Sequence, residues 1–134
     1  MNYTTILICQ GLSAESKITF PELVKRLLEA DVDSYDIDLV GKRVTYYDVY
    51  DSSLHVGFGL NELPPVHERF DAEAVAQAVK RSQRGEIDYP SFISEIMNAG
   101  VSMYTAYLNG RRVVYKGLDG QSHTEHFPPA TDKL

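Results

Sequence analysis

Two segments of the chain carry apolar residues at the spacing of an amphipathic helix. Each places five apolar side chains at i, i+3, i+4, i+7 and i+8, which predicts one continuous buried helix face. These residues are Phe20, Leu23, Val24, Leu27 and Leu28 in the first segment, and Tyr89, Phe92, Ile93, Ile96 and Met97 in the second. Thr19 and Asp88 precede the segments as N-caps, and Pro21 and Pro90 lie in the first turn, where the missing N–H costs nothing. We therefore predict two capped helices.

After each helix the apolar period changes from 3.6 to 2, the period of a strand. Residues 35–39 and 42–47 flank Val40-Gly41, and residues 104–108 and 111–116 flank Asn109-Gly110, a strong hairpin signal. A two-residue turn places four residue pairs on the core face. The pairs are Ile37 with Val44, Tyr35 with Tyr46, Ala106 with Val113, and Tyr104 with Tyr115.

The opposite face of each hairpin then carries one arginine. Asp38 pairs with Arg43, which gives that arginine a carboxylate partner, and Tyr107 pairs with Arg112, which gives its counterpart an aromatic ring. A third strand is predicted after each hairpin, at Leu54 to Leu60 and at Gln121 to Phe127. The two hairpins therefore place an arginine at equivalent positions but differ in the side chain that lies opposite it.

The similarity between the two halves extends to identical residues at a constant shift of 69. The first members of the matched pairs are Ile18, Pro21, Ala30, Val32, Tyr35, Leu39, Gly41, Arg43, Val44 and Tyr46. The same shift aligns the apolar start of the chain with Asp71 to Arg84, a segment that begins with an N-cap and is rich in alanine. We therefore predict a helix over residues 3–13, although Ile6-Leu7-Ile8 alone has the composition of a strand.

These patterns predict an α+β fold built by internal duplication, with two helices followed by an antiparallel hairpin or three-stranded meander in each copy. The expected organisation is one domain, with a first copy at 1–62, a linker at 63–67, a second copy at 68–127 and a flexible tail at 128–134. The length of 134 residues suits a single domain. Antiparallel sheets have edges that must be covered or paired, so a homodimer remains an open alternative.

The charge and cysteine content of the chain exclude some kinds of binding partner and of cellular environment. The net charge of −6 argues against a phosphate backbone or an acidic membrane surface as the partner. Cys9 is the single cysteine, so no internal disulfide can form, and we interpret it as buried packing in a cytoplasmic protein. The opening ten residues lack a basic region and a long apolar run, so no signal peptide is expected.

The repeated segments resemble a known group of small proteins. The residues that carry the resemblance are RSQRGEIDYPSFISEIMNAGV at 81–101 and NGRRVVY at 109–115, with the weaker TFPELVKRLLEADVDSYDIDL at 19–39. They are similar to the YbcV-like and YdfO-like bacterial and prophage proteins, some of which are labelled phage envelope protein. The resemblance covers nearly the whole chain and implies an α+β duplication of unknown activity. It supplies no catalytic residues.

Metal-ligand chemistry is concentrated in one short cluster. His123, Glu125 and His126 lie together, and His67 or His55 could complete a site from elsewhere in the chain. On a strand, however, His123 and Glu125 share one side while His126 lies on the other. We therefore interpret the cluster as a polar edge strand, and no cofactor is predicted.

Two functional hypotheses follow from these residues. The preferred one is a non-enzymatic binding or regulatory module that contacts a protein or small molecule through Arg43, Arg112 and Tyr107. The alternative is a small enzyme or metal-dependent protein with a cleft between the two copies, using the histidines and Glu125. The first is preferred because no nucleophile and base, and no paired carboxylates, can be brought together from the sequence.

Overall fold

The computed structural model of the protein describes residues 1–128 and contains four helices and six strands. The helices are α1 (Tyr3–Ala14), α2 (Phe20–Glu29), α3 (Ala72–Gln83) and α4 (Tyr89–Asn98). The strands are β1 (Ser34–Asp38), β2 (Arg43–Tyr47), β3 (Ser53–Gly57), β4 (Val101–Tyr107), β5 (Arg112–Gly117) and β6 (Ser122–His126). The α+β class is therefore confirmed. The tail expected at 128–134 lies outside the described residues apart from Pro128.

Side-chain caps start all four helices. Asn2, Thr19, Asp71 and Asp88 each accept a hydrogen bond from a backbone N–H three residues ahead. Such a cap satisfies one of the amides that a helix leaves without a partner. The predictions of a helix over residues 3–13 and of one within Asp71 to Arg84 are confirmed. Within residues 1–128, no helix is both long enough and apolar enough to cross a bilayer.

The six strands form one antiparallel sheet in the order β3-β2-β1-β4-β5-β6. The two hairpins meet at its centre, where β1 pairs with β4 and places Asp36 opposite Thr105. This pairing joins the halves through a continuous backbone ladder. The elements of the two halves follow in the same order, two helices and then three strands. Their origin by duplication, and the division at residues 63–67, remain predictions.

One face of the sheet packs against the helices and forms the core. All four predicted core pairs are found in register. Their eight side chains are buried together with Ile6, Leu27, Ile93 and Ile96 from the helices. The alternation of apolar residues along the strands therefore predicted correctly which face of the sheet the helices cover. Burial of these apolar side chains is the main force that holds the helices against the sheet.

The ends of the outer strands differ from the prediction. β3 ends at Gly57, three residues before the expected Leu60, and β6 covers Ser122–His126 within the expected range. The reason lies in the partner strand, since β2 begins at Arg43 and Gly57 is the residue that pairs with it. Beyond that point the Phe58 amide still donates to the Lys42 carbonyl at 2.8 Å, and the Phe58 ring packs edge-on against Tyr89.

The hairpin turns also differ from a two-residue turn in which glycine adopts a positive φ. Positive φ falls on Lys42 and Arg111, at 57° and 56°, and neither Gly41 nor Gly110 takes this conformation. Gly41 serves a different purpose, because a Cβ there would collide with the Asp38 carboxylate. The register nevertheless stays as predicted, since Asp38 and Arg43, at the ends of the two strands, lie opposite each other.

Candidate functional site

The face of the sheet opposite the core carries the polar residues that alternate with the buried apolar residues along each strand. No helix or strand of residues 1–128 covers this face, which we call the open face. Its central residues are Ser34, Asp36 and Asp38 of β1 and Met103, Thr105 and Tyr107 of β4. Flanking them are Arg43, Thr45 and Tyr47 of β2 and Arg112, Val114 and Lys116 of β5. The open face is the candidate functional site.

Two hydrogen-bonded pairs occupy the middle of the open face. The Thr105 hydroxyl donates to Asp36 Oδ1 at 2.6 Å, and Thr45 Oγ1 lies 3.0 Å from His55 Nδ1 on the edge strand. Both threonines are only 7% exposed, because larger neighbours surround them. Partial burial and the nearby Asp36 carboxylate raise the pKa of Tyr47. The middle of the open face therefore consists of polar side chains that are hydrogen-bonded to one another.

A shallow depression lies at one end of the open face. Its volume is about 300 Å³, and it is lined by Asp33, Tyr107, Gly110 and Arg112. Tyr107 is 41% exposed. The Asn109 amide donates to Asp33 Oδ1 at 2.7 Å, which ties the hairpin turn to the start of β1. Two of the three predicted binding residues thus share one concave surface.

The Arg112 side chain is held near the depression by its own turn. Its Nε donates to the Gly110 carbonyl at 3.4 Å, and no ion pair to Arg112 forms among residues 1–128. The remaining N–H groups of the guanidinium are therefore free to bind a carboxylate or phosphate, for which its planar fork is suited.

Arg43, the third predicted binding residue, lies on the same face but far from the depression. It is three strands and four residues away from Arg112, which corresponds to roughly 20 Å at normal strand spacing. Asp38 lies opposite Arg43 in the hairpin, as predicted, but no ion pair joins the two side chains among the described residues. Asp38 Oδ1 accepts instead from the Val40 and Gly41 amides at 3.1 and 2.8 Å. A small ligand cannot contact both arginines.

The predicted metal-ligand residues do not converge. His123 Nε2 lies 2.7 Å from Glu125 Oε2 on the helix side of β6, whereas His126 is exposed on the open face, as the strand alternation predicted. His67 lies in the segment before α3, and its ring contacts the backbone of Arg69. Within residues 1–128, no three histidine, cysteine or carboxylate side chains are grouped as a metal site.

Two nucleophilic side chains, one in the core and one on the open face, bear on possible chemistry. Cys9 is buried, and burial raises the pKa of its thiol, so the reactive thiolate is disfavoured. The Thr45 and His55 pair brings a hydroxyl next to an imidazole. In the described part of the chain, however, no carboxylate bonds to His55 to orient it as a general base.

Sequence reasoning missed the pairing of Asp36 with Thr105. These residues are at equivalent positions of the two halves under the shift of 69. The sheet brings them together because β1 and β4 are neighbours, so equivalent residues meet at the centre. The shift of 69 relates Asp36 to Thr105 in the sequence, but their contact could be predicted only if β1 and β4 were known to be neighbours. Asp33 was missed because it precedes the strand.

Comparison with known proteins places the sequence in one family. The family described as protein of unknown function DUF1398 matches residues 13–125, which include all six strands except His126. The chain belongs to this family. The matched region contains the whole open face apart from the end of β6, so the proposed site lies within the family domain.

The curated relatives are also uncharacterized. One protein of Mycobacterium bovis and two of Mycobacterium tuberculosis are each 30% identical to the chain over 112 residues. The aligned part is 81% of this chain and 66% of each relative, so the chain spans about two thirds of their length.

Proposed function

We propose that the protein is a non-enzymatic binding or regulatory module of bacterial or prophage origin, acting in the cytoplasm. Its binding site is the depression formed by Asp33, Tyr107, Gly110 and Arg112. The partner, a protein or small molecule, presents a carboxylate or phosphate to the guanidinium and an apolar group to the phenol ring.

The observation that carries this proposal is the position of Arg112. An arginine without an ion-pair partner in residues 1–128, beside an exposed ring and above a concave surface, is typical of a binding contact. Arginine and tyrosine are the side chains that most often contribute binding energy at interfaces. The fixed backbone of the hairpin turn keeps this contact preorganised.

The charge on the open face supports an anionic group on the partner. The chain has a net charge of −6, yet the four inner strands contribute three cations and two carboxylates to this face. The cations are Arg43, Arg112 and Lys116, and the carboxylates are Asp36 and Asp38. This face therefore carries a small excess of positive charge on an acidic molecule, which favours an anionic partner.

The experiment compares two equivalent arginines on one face. Immobilised wild-type chain and the variants Arg112→Ala, Tyr107→Ala and Arg43→Ala are used to capture partners from a bacterial lysate, with quantification by mass spectrometry. Arg43→Ala is the matched control, since it removes the same side chain roughly 20 Å away. All three positions are solvent-exposed, so the thermal midpoint of unfolding should change little.

We expect Arg112→Ala and Tyr107→Ala to reduce capture of the same partner at least tenfold, while Arg43→Ala retains it. Loss of capture with all three variants also supports binding by the open face and indicates a partner large enough to cover both corners. Capture that is unchanged by Arg112→Ala would show that the depression is not the binding site.

A further inference from the structure

Helix α1 is apolar on both sides, although only one side faces the core. Ile6 and Cys9 are buried, whereas Tyr3, Leu7 and Ile8 on the outer side are 51%, 51% and 55% exposed. Residues 3–14 contain no charged side chain. A helix that is apolar all round is normally buried all round, so the outer side of α1 requires an explanation.

Helix α3 provides an internal comparison, because it has the same place in the second half. Under the shift of 69, the outer residues Leu7 and Ile8 correspond to Ala76 and Gln77, and Gly11 corresponds to Lys80. α3 therefore has the ordinary polar surface of a helix at this position. The fold does not require an apolar outer side here, and of these two helices α1 has one while α3 does not.

Gly11 is a second, independent observation. It lies inside α1, where glycine costs up to about 1 kcal/mol relative to alanine. Its φ is not positive, and a Cβ built on it would meet nothing within 4 Å. Neither backbone conformation nor internal packing explains a glycine at this position, which lies on the outer side with Leu7.

We infer that α1 is the contact surface for a second copy of this chain, related by a two-fold axis near Leu7. In an antiparallel pair of α1 helices centred on Leu7, Leu7 meets its own equivalent and Tyr3 faces Gly11 of the other copy. The large ring then fills the space above the glycine at both ends. The same surface fits itself, as a two-fold interface requires.

The charges near α1 are compatible with contact between two copies of the chain. Two chains of net charge −6 repel each other, and uncharged α1 is the helix on which they approach with least repulsion. A groove of about 470 Å³ runs beside it, between α1 and α2. The charged residues of the groove are two acids and two bases, Glu22, Glu29, Lys25 and Arg26. Such a mixed rim is complementary to its own copy.

The exposed area sets the strength of the dimer. Stable interfaces bury about 800 Å² on each partner. Three half-exposed large side chains supply roughly 300 Å² of this, and the rim of the groove must supply the rest. We therefore expect a weak dimer with a dissociation constant at about the micromolar level, populated in proportion to protein concentration.

The test places opposite charges at the two-fold axis. Wild type, Leu7→Glu and Leu7→Lys are measured by sedimentation velocity over a concentration series that spans the micromolar range, as is an equimolar mixture of the two variants. Ala76→Glu, at the equivalent position of α3, is the matched control. Thermal unfolding of each variant confirms the fold, which half-exposed Leu7 should tolerate.

We expect wild type and Ala76→Glu to dimerise, each Leu7 variant alone to remain monomeric, and the mixture to recover a dimer. Recovery follows because only the mixed pair brings a glutamate against a lysine. A monomeric wild type over the whole range would overturn the inference, as would a Leu7 variant that dimerises like wild type. A mixture that stays monomeric would overturn the position of the axis.

Gly11→Ala provides a readout that a purely structural role cannot imitate. It should raise the thermal midpoint of the dilute monomer by a few degrees, because alanine is the better helix former. It should also weaken dimerisation at least several-fold, because the methyl group occupies the space of the Tyr3 ring. A stabilised variant with unchanged dimerisation would contradict the inference. Arg112→Ala, which tests the open face, should not alter dimerisation.

Discussion

At the scale of single residues, the core contains one hydroxyl pair that the apolar pattern does not require. The Tyr89 and Tyr104 hydroxyls lie 2.7 Å apart, and Tyr104 packs against Tyr115 with ring centroids 5.3 Å apart. Tyr104 and Tyr115 are each 5% exposed. The two rings therefore have similar packing but different hydrogen bonding.

We expect Tyr104→Phe to lower the free energy of unfolding by about 1 to 2 kcal/mol, because the Tyr89 hydroxyl is left without its partner. Tyr115→Phe is the control, since its hydroxyl makes no hydrogen bond within residues 1–128, and its cost should be less than half as large. Chemical denaturation measures both. Equal losses would show that the hydroxyl pair contributes nothing beyond ring packing.

At the scale of elements, the end of α4 is attached to the segment that precedes α3. Gly100 has φ +95°, and a Cβ on it would overlap the Arg69 carbonyl oxygen and Phe70 Cα. The Asp71 amide donates to the Ala99 carbonyl at 2.8 Å in the same place. In the first half Asp31 takes the corresponding position with φ 69°, so only the second half requires a glycine for close approach.

Gly100→Ala should therefore destabilise the protein by about 3 kcal/mol or more, since it adds a backbone collision to the strain of a left-handed alanine. Gly120→Ala is the matched control. Gly120 has φ +89° and nothing within 4 Å of a built Cβ, so only the strain of about 1 to 2 kcal/mol remains. The difference between their unfolding free energies, from denaturant titration, isolates the collision. No difference would contradict the contact.

At the scale of the whole molecule, the core is unusually rich in tyrosine. Burial raises the pKa of Tyr35, Tyr46, Tyr104 and Tyr115 above the ordinary value of 10.0. The folded chain therefore holds these four protons more tightly than the unfolded chain does. Their contribution to stability is complete below pH 10 and is lost as the pH rises above that value.

We expect cooperative unfolding between about pH 10 and 11.5, because each buried tyrosine costs up to about 1.4 kcal/mol per pH unit above its unfolded pKa. Four such groups offset the stability of a typical domain within about one to two units. Tyrosinate absorbance and circular dichroism should change together. Tyr115→Phe removes one group and should move the transition to higher pH, whereas a gradual titration without unfolding would contradict this account.

The sequence by itself determined the helices and the hairpins. Apolar spacing, N-caps and turn residues act within a few positions of one another, so α2, α4 and the pairing of Tyr35 with Tyr46 could be predicted locally. The sequence also identified the side of each strand that carries Arg43, Arg112 and Tyr107. The helical state of residues 3–13 was more difficult, and was found only by comparison with Asp71 to Arg84.

Only the tertiary structure decided which strands lie together. The pairing of β1 with β4 joins segments about seventy residues apart, and it depends on two apolar faces being buried under one set of helices. That pairing brings Asp36 to Thr105 and sets Asp33 beside Arg112. It also separates Arg43 from the depression. Local rules specify each hairpin, whereas the candidate site arises where the hairpins meet.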